Sequence, residues 1–311
     1  LDTVLVNQRD YFLNSLSDLD VTYRIKKIKE IRDWIKGNEK FIVQACSKDY
    51  KKPIAEIYTT EIKPVLNHIS FTLKNIKKWT APNSVKTPMY LVGVKSKIYY
   101  EPKGVCLIIS PWNYPFNLTL NPIISAIAAG NCIVVKPSEF TPSVSSLVDQ
   151  MFSCLFDEKE IKIIQGDSSV GSYLLNLNFD HIFFTGSPDI GKLVMESAAK
   201  NLTSVTLELG GKNHAVIDET ANIRDAAEKI LWTKYVNCGQ TCIAVNHVFV
   251  HESKYDYFLE SINKTMEKFF YNNSSFGEVI NQKHISRLKD LKKSCLDFDG
   301  QILHSSFDFS E

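Results

Sequence analysis

Residues 104–137 read GVCLIISPWNYPFNLTLNPIISAIAAGNCIVVKP, and this stretch decides the fold. GVCLIIS and NCIVVKP are continuous apolar runs of strand length, and between them residues 116–129 form a segment rich in Ile and Ala. A strand apolar at every position, with no polar alternation, has both faces buried, as in a parallel sheet covered by helices. The intervening segment has the length of a crossover helix. The unit is therefore strand, helix, parallel strand.

The same alternation continues outward. Residues 142–156 read as a helix, EIKIIQG (160–166) as a strand, and a short helix is expected after Gly171. HIFFTG (181–186) is a fourth strand, IGKLVMESAAK (190–200) its helix, and SVTLELGG (204–211) a fifth strand. The expected fold class is α/β, a Rossmann-like parallel sheet in a first domain over 1–208. A second α/β domain is expected over 209–311, beginning with NHAVID (213–218), a helix over 222–235, HVFVHE (247–252) and a helix over 253–271. The pattern then decays into LDFDGQILHSSFDFSE. Before the first strand, residues 21–50 and 54–79 read as helices, with Ile62, Val65, Leu66, Ile69, Leu73 and Ile76 on one face. MYLVGVKSKIYYEP (89–102) reads as a β-hairpin near 88–102, standing off the main body or forming the first part of a bridging sheet.

Composition excludes several function classes. A net charge of +1 among 311 residues gives no basic surface for nucleic acid or an anionic membrane. No apolar run approaches the roughly 20 residues of a membrane span, and LDTVLVNQRD carries no secretory signal. Seven cysteines without paired spacing point to a reducing, cytoplasmic setting.

Ligands of parallel sheets bind at the carboxyl ends of the strands. The residues to watch are therefore Pro111, Trp112 and Asn113, Lys136 and Glu139, Gly166, Gly186 and Ser187, and Glu208, Leu209 and Gly210. An amide such as Asn113 there can donate to a developing oxyanion, and equally can cap its own turn. Lys136 and Glu139 suit a nucleotide's phosphate or ribose, or an ordinary exposed loop. Gly186 and Ser187 open a helix whose first N–H groups suit a pyrophosphate, although G-x-G-x-x-G is absent. Glu208 is an acid/base candidate or an ion-pair partner.

YVNCGQTCIAV (235–245) holds Cys238 and Cys242. With His247 and His251 nearby zinc must be weighed, but only four residues separate Cys242 from His247, too few for a finger to fold back. Cys-x-x-Cys redox spacing is also absent. A loop position with Gly239 beside it suits Cys242 as a nucleophile. No metal is expected.

PWNYPFNLTLNP, AAGNCIVVKPSE, FFTGSPDIGK, VTLELGGK and NCGQTC together resemble, in order, the signature motifs of the NAD(P)-dependent aldehyde dehydrogenases. PWNYPFNLT and the short amino-terminal region are most similar to the class 3 branch, whose members oxidise fatty and aromatic aldehydes. The resemblance implies Cys242 as nucleophile, Glu208 as general base and Asn113 as oxyanion donor. It implies Lys136 and Glu139 at the adenosine ribose, Gly186 and Ser187 along the pyrophosphate, Leu209 and Gly210 near the nicotinamide, and Pro111 and Trp112 among the cofactor-binding residues. The implied cofactor is NAD, with NADP also accepted, the substrate a small-molecule aldehyde, and the full-length assembly a homodimer. Members of the family continue well beyond position 311, so the second domain is expected to hold only its amino-terminal part here. Two other readings stay open. One is a catalytically incomplete fragment retaining nucleotide binding, and the other a cofactor-free thiol hydrolase using Cys242 and Glu208.

Overall fold

The computed structural model describes residues 2–16, 20–269 and 276–302. The last two residues expected in the helix over 253–271, and most of the segment 296–311, lie outside the described residues. The chain forms two compact units, one of Leu1–Asp49 with Ile57–Leu209 and one of Tyr50–Glu56 with Gly210–Glu311.

The first unit is built on a five-stranded parallel sheet of β3 (Val105–Ile109), β4 (Cys132–Lys136), β5 (Ile161–Ile163), β6 (His181–Gly186) and β7 (Ser204–Leu209). Its spatial order is β5-β4-β3-β6-β7. The chain grows from β3 outward through β4 to β5, then returns to β3's other side for β6 and β7. The order reverses between β3 and β6, the topological switch point where such sheets leave a crevice.

Period-two alternation divides the central strands β3, β4 and β6 between two cores, while β5 and β7 each serve one. Ile108, Ile133, Val135, Ile161 and Ile163 pack on one face against α2 (Val21–Gly37), α3 (Glu39–Tyr50), α5 (Lys63–Thr80), α6 (Asn117–Ala129) and α7 (Pro142–Leu155). Val105, Leu107, Cys132, Val134, Ile182 and Phe184 pack on the other against α1 (Asp2–Asn14), α8 (Ser168–Leu175) and α9 (Pro188–Ala199). Burying each such side chain contributes about 1.5–3 kcal/mol, and strands buried on both faces use every residue this way. Gly130, with φ +86°, ends α6 in the left-handed conformation and turns the chain into β4.

Several boundaries differ from the sequence reading. The expected helix over 21–50 is two helices, because Gly37 weakens the helix and Asn38 caps its end, donating from its side chain to Trp34 O at 2.8 Å. α8 starts at Ser168, before Gly171, since Asp167 accepts from Ser169 N at 2.9 Å as its N-cap. The hairpin pairs β1 (Asn83–Val85) with β2 (Ser96–Ile98), antiparallel. MYLVGV, expected as its first limb, is instead turns, with Leu91 N bonded to Pro88 O and Gly93 at φ +89°. α1 was not legible at all. Its centre is the fully buried Gln8, whose Nε2 donates to Ile133 O and Glu158 O, each at 3.0 Å. Both donors of its amide are thereby used, one on a carbonyl of β4 and one on the turn before β5, and neither partner is near in sequence.

In the second unit, β8 (His214–Ile217) pairs in parallel with β9 (His247–Val250). Ile217, Ile223, Ala227 and Phe258 form its core with α10 (Ile223–Tyr235) and α11 (Tyr255–Phe269). A helix the sequence pattern did not indicate, α12 (Gln282–Asp297), follows, started by Asn281 accepting from His284 N at 3.0 Å. None of its residues is buried, although Ile285, Leu288, Leu291 and Cys295 recur along it at helical spacing. Among the described residues no helix is long and apolar enough to cross a membrane.

Candidate active site

The carboxyl ends of β4, β3, β6 and β7 lie side by side in the first unit, and each carries residues the sequence singled out. Ser110 N donates to Lys136 O at 3.1 Å, continuing the β3–β4 pairing one step past the strands. The half-buried Pro111, Trp112 and Asn113 follow directly at the switch point. Lys136 is buried at 4% exposure, and its Nζ donates to Pro137 O at 3.1 Å and to Glu139 Oε2 at 2.9 Å. A buried ammonium needs such partners. The ion pair leaves the Glu139 carboxylate about one-third exposed, facing solvent at the strand's end.

β6 ends at Gly186, where a Cβ would lie 2.4 Å from Phe184 Cζ, so the ring position excludes any side chain. Ser187 then caps α9, its Oγ accepting from Ile190 N at 3.4 Å, with Pro188 in the first turn. One turn on, a Cβ at Gly191 would come 2.9 Å from Leu209 Cδ2, so α9 lies close against the end of β7. The result is a helix amino terminus opening at a strand end, an arrangement suited to phosphate. Glu208 and Leu209 are exposed on β7, paired in register with Thr185 and Gly186.

The second unit holds Gly210, exposed and with open space where a Cβ would stand, and the two cysteines. Three consecutive residues, Asn237, Cys238 and Gly239, have left-handed φ of 56°, 53° and 74°. Asn and Gly tolerate this conformation and Cys does not, so external bonds must hold it. Asn237 is buried, and its N–H donates to Glu56 Oε1 at 2.9 Å. Gln240 donates through Nε2 to Asn237 O and Glu278 O, both at 3.1 Å, and accepts from Ile280 N at 3.0 Å. Cys238 Sγ–H donates to Gly277 O at 3.1 Å, and burial pushes its thiol up to about 11. It is a thiol at neutral pH, fixed in the packing.

Cys242 differs in each respect. It is exposed, at the second position of a turn closed by Ala244 N donating to Thr241 O at 3.1 Å. Its carbonyl accepts from Asn213 Nδ2 at 2.7 Å.

The chain matches the model of the aldehyde dehydrogenase family over residues 7–306. It belongs to that family. It is 40% identical over 298 residues to the 4,4'-diaponeurosporen-aldehyde dehydrogenase of Staphylococcus aureus, covering 93% of this chain and 65% of that protein. It is 36% identical over 287 residues to aldehyde dehydrogenase family 3 member A2 of Pongo abelii, covering 91% and 59%. Among solved structures it superposes with a TM-score of 0.90 on the substrate-bound state of Staphylococcus aureus AldH, at 38% identity, covering 95% of this chain and 65% of that one. It superposes at 0.87 on a Staphylococcus aureus betaine aldehyde dehydrogenase in complex with NAD+, at 28% identity, covering 96% and 60%. The chain thus spans about two thirds or less of the length of these aldehyde dehydrogenases.

Two residues that support the family's cysteine segment escaped the sequence reading, Glu56 and Asn213. Glu56 is 181 positions from its partner and leaves no local signal. Asn213 follows GGK directly, where an Asn before a strand reads as ordinary turn chemistry.

Proposed function

We propose that the full-length protein oxidises an aldehyde, of the apolar fatty or aromatic class, to its carboxylic acid with NAD or NADP, and that Cys242 is the nucleophile. The contrast between the two cysteines carries the reading. Cys238 is a bonded, protonated thiol in a held turn, whereas Cys242 is exposed at a turn where a substrate can reach it. Order and identity of the motifs support the remaining roles.

The chemistry needs two stages. Cys242 Sγ, as thiolate, bonds to the aldehyde carbon while the carbonyl oxygen takes up the negative charge. Side-chain N–H of Asn113 and the backbone N–H of Cys242 donate to that oxyanion. When bound, NAD(P)+ supplies the hydride acceptor. Lys136 and Glu139 would hold its adenosine ribose, Gly186 and Ser187 its pyrophosphate, Leu209 and Gly210 would lie near the nicotinamide, and Pro111 and Trp112 would also contact the cofactor. The residues present fit this group. The capped start of α9 suits the phosphates, Gly186 keeps their approach clear of a side chain, and Glu139 has carboxylate oxygen exposed for ribose hydroxyls. Hydride loss leaves a thioester on Cys242. Glu208 then takes a proton from water, the new oxygen–carbon bond forms, the carbon–sulfur bond breaks, and the thiolate returns.

We further infer a cytoplasmic homodimer at full length, from the class 3 resemblance and from a cysteine spacing that shows no disulfide framework. The test is aldehyde-dependent formation of NADH or NADPH by the full-length protein across aliphatic and aromatic aldehydes. Release of acid from an ester substrate, with no aldehyde-dependent reduction of cofactor, would replace the proposal with a thiol hydrolase, and binding of cofactor without turnover would replace it with a nucleotide-binding protein.

A further inference from the structure

We infer that Asn213 is a positioning residue for Cys242, a role that deepens the reading above and rests on Cys242 being the nucleophile. Its planar side-chain amide has two N–H donors, and both are used: Nδ2 donates to Cys242 O at 2.7 Å and to Ala244 O at 3.1 Å. Two carbonyl partners fix which side of the amide carries nitrogen. The peptide planes that follow Cys242 and Ala244 are thereby tied to one rigid group, on either side of Ile243.

Asn213 is itself anchored. Its carbonyl accepts from Asn246 N at 2.8 Å and His247 N at 3.2 Å, directly before the His214–His247 pair that opens the β8–β9 ladder. The nucleophile's turn is therefore tied at both ends of its short excursion to the start of a β-pair. Gly211 makes room for this. A Cβ there would stand 2.9 Å from Asn213 Oδ1, so a side chain at 211 would press on the clamp. Ala244, buried at 1% exposure, anchors the far side of the turn.

The turn closed by Thr241 O and Ala244 N would persist without Asn213, but its tilt relative to β8 would not. An exposed sulfur stays reactive when the turn tilts, whereas the Cys242 backbone N–H must point at the oxyanion. The clamp therefore matters for the transition state more than for thiol exposure or substrate binding.

The experiment uses the full-length protein with Asn213→Ala. Expected is a fall in kcat of about 10²-fold, the usual cost of about 1 Å of misplacement at a reacting centre. The aldehyde KM and the rate of Cys242 alkylation by iodoacetamide should each stay within about threefold. An unchanged kcat would overturn the inference. So would a parallel fall in alkylation rate, which would make Asn213 a structural support of the loop. If Asn213→Ala does not fold, Asn213→Ser, with one short donor for two carbonyls, is read by the same split. Full activity in Cys242→Ala would instead end the proposed function, and is distinguishable because it needs no change at Asn213.

Discussion

The strand ends of the sheet and the left-handed cysteine turn reach order by opposite routes. Along β4 every residue is buried, and neighbours in sequence decide which face each occupies. Across Asn237, Cys238 and Gly239 the backbone adopts what local preference disfavours, and Glu56, Gly277, Glu278 and Ile280 hold the segment from afar. The sheet is redundant, many apolar contacts sharing the load. The turn is specific, with single hydrogen bonds each fixing one angle. Residues that do chemistry can stand at either place.

The sharpest way to break this comparison is at the cysteines. In the full-length protein Cys242→Ala should lower turnover on the order of 10⁴-fold or more, while Cys238→Ala keeps most of it. Equal losses in two folded variants would mean that the held thiol is no bystander.

Glu208, on a regular strand, should separate the two chemical stages. Glu208→Gln keeps the shape and removes the base, so steady-state turnover should slow by about 10²–10⁴-fold. A burst of NADH near one per active site should survive, as rapid-mixing absorbance would record. Loss of the burst would give Glu208 a part in activating Cys242 as well.

Stability measurements sharpen the contrast of routes. Ile133→Ala, at a fully buried position of β4, should cost about 2–5 kcal/mol through lost burial and a cavity. Glu56→Ala leaves the buried Asn237 N–H without its carboxylate and should cost about 1–3 kcal/mol. Urea titrations should nevertheless show that Glu56→Ala loses more activity per unit of stability. The reverse ranking would make the turn as redundant as the sheet.

The smallest effect is alkaline. Burial raises Cys106 and Cys132 to about 12 and Cys238 to about 11, from an ordinary 9.0. Between those values the unfolded chain has released protons that the folded chain still holds. Stability contributed by these thiols is complete below pH 9.0 and declines as pH rises toward 11 and 12. Urea midpoints on either side of pH 9.0 should record the decline, and Cys238→Ala should remove the share belonging to the turn. A flat profile would mean that the thiols are not held apart from solvent.

The amino-acid sequence by itself determined the parallel sheet, its crossovers and the family, because strands buried on both faces must be written as apolar runs and their end residues follow in order. GVCLIIS, NCIVVKP and HIFFTG each became a strand at nearly the expected bounds. It also placed Cys242 in a loop. Tertiary structure alone decided α1, whose central Gln8 looks like a surface residue until Ile133 and Glu158 accept its bonds. It alone decided that Tyr50–Glu56 joins the second unit and that MYLVGV turns instead of pairing. It alone brought Asn213 to the carbonyls of Cys242 and Ala244. The physical reason is common to all of these. Apolar burial is written as a repeating local pattern, whereas a single hydrogen bond between residues 29 or 181 positions apart leaves no period to read.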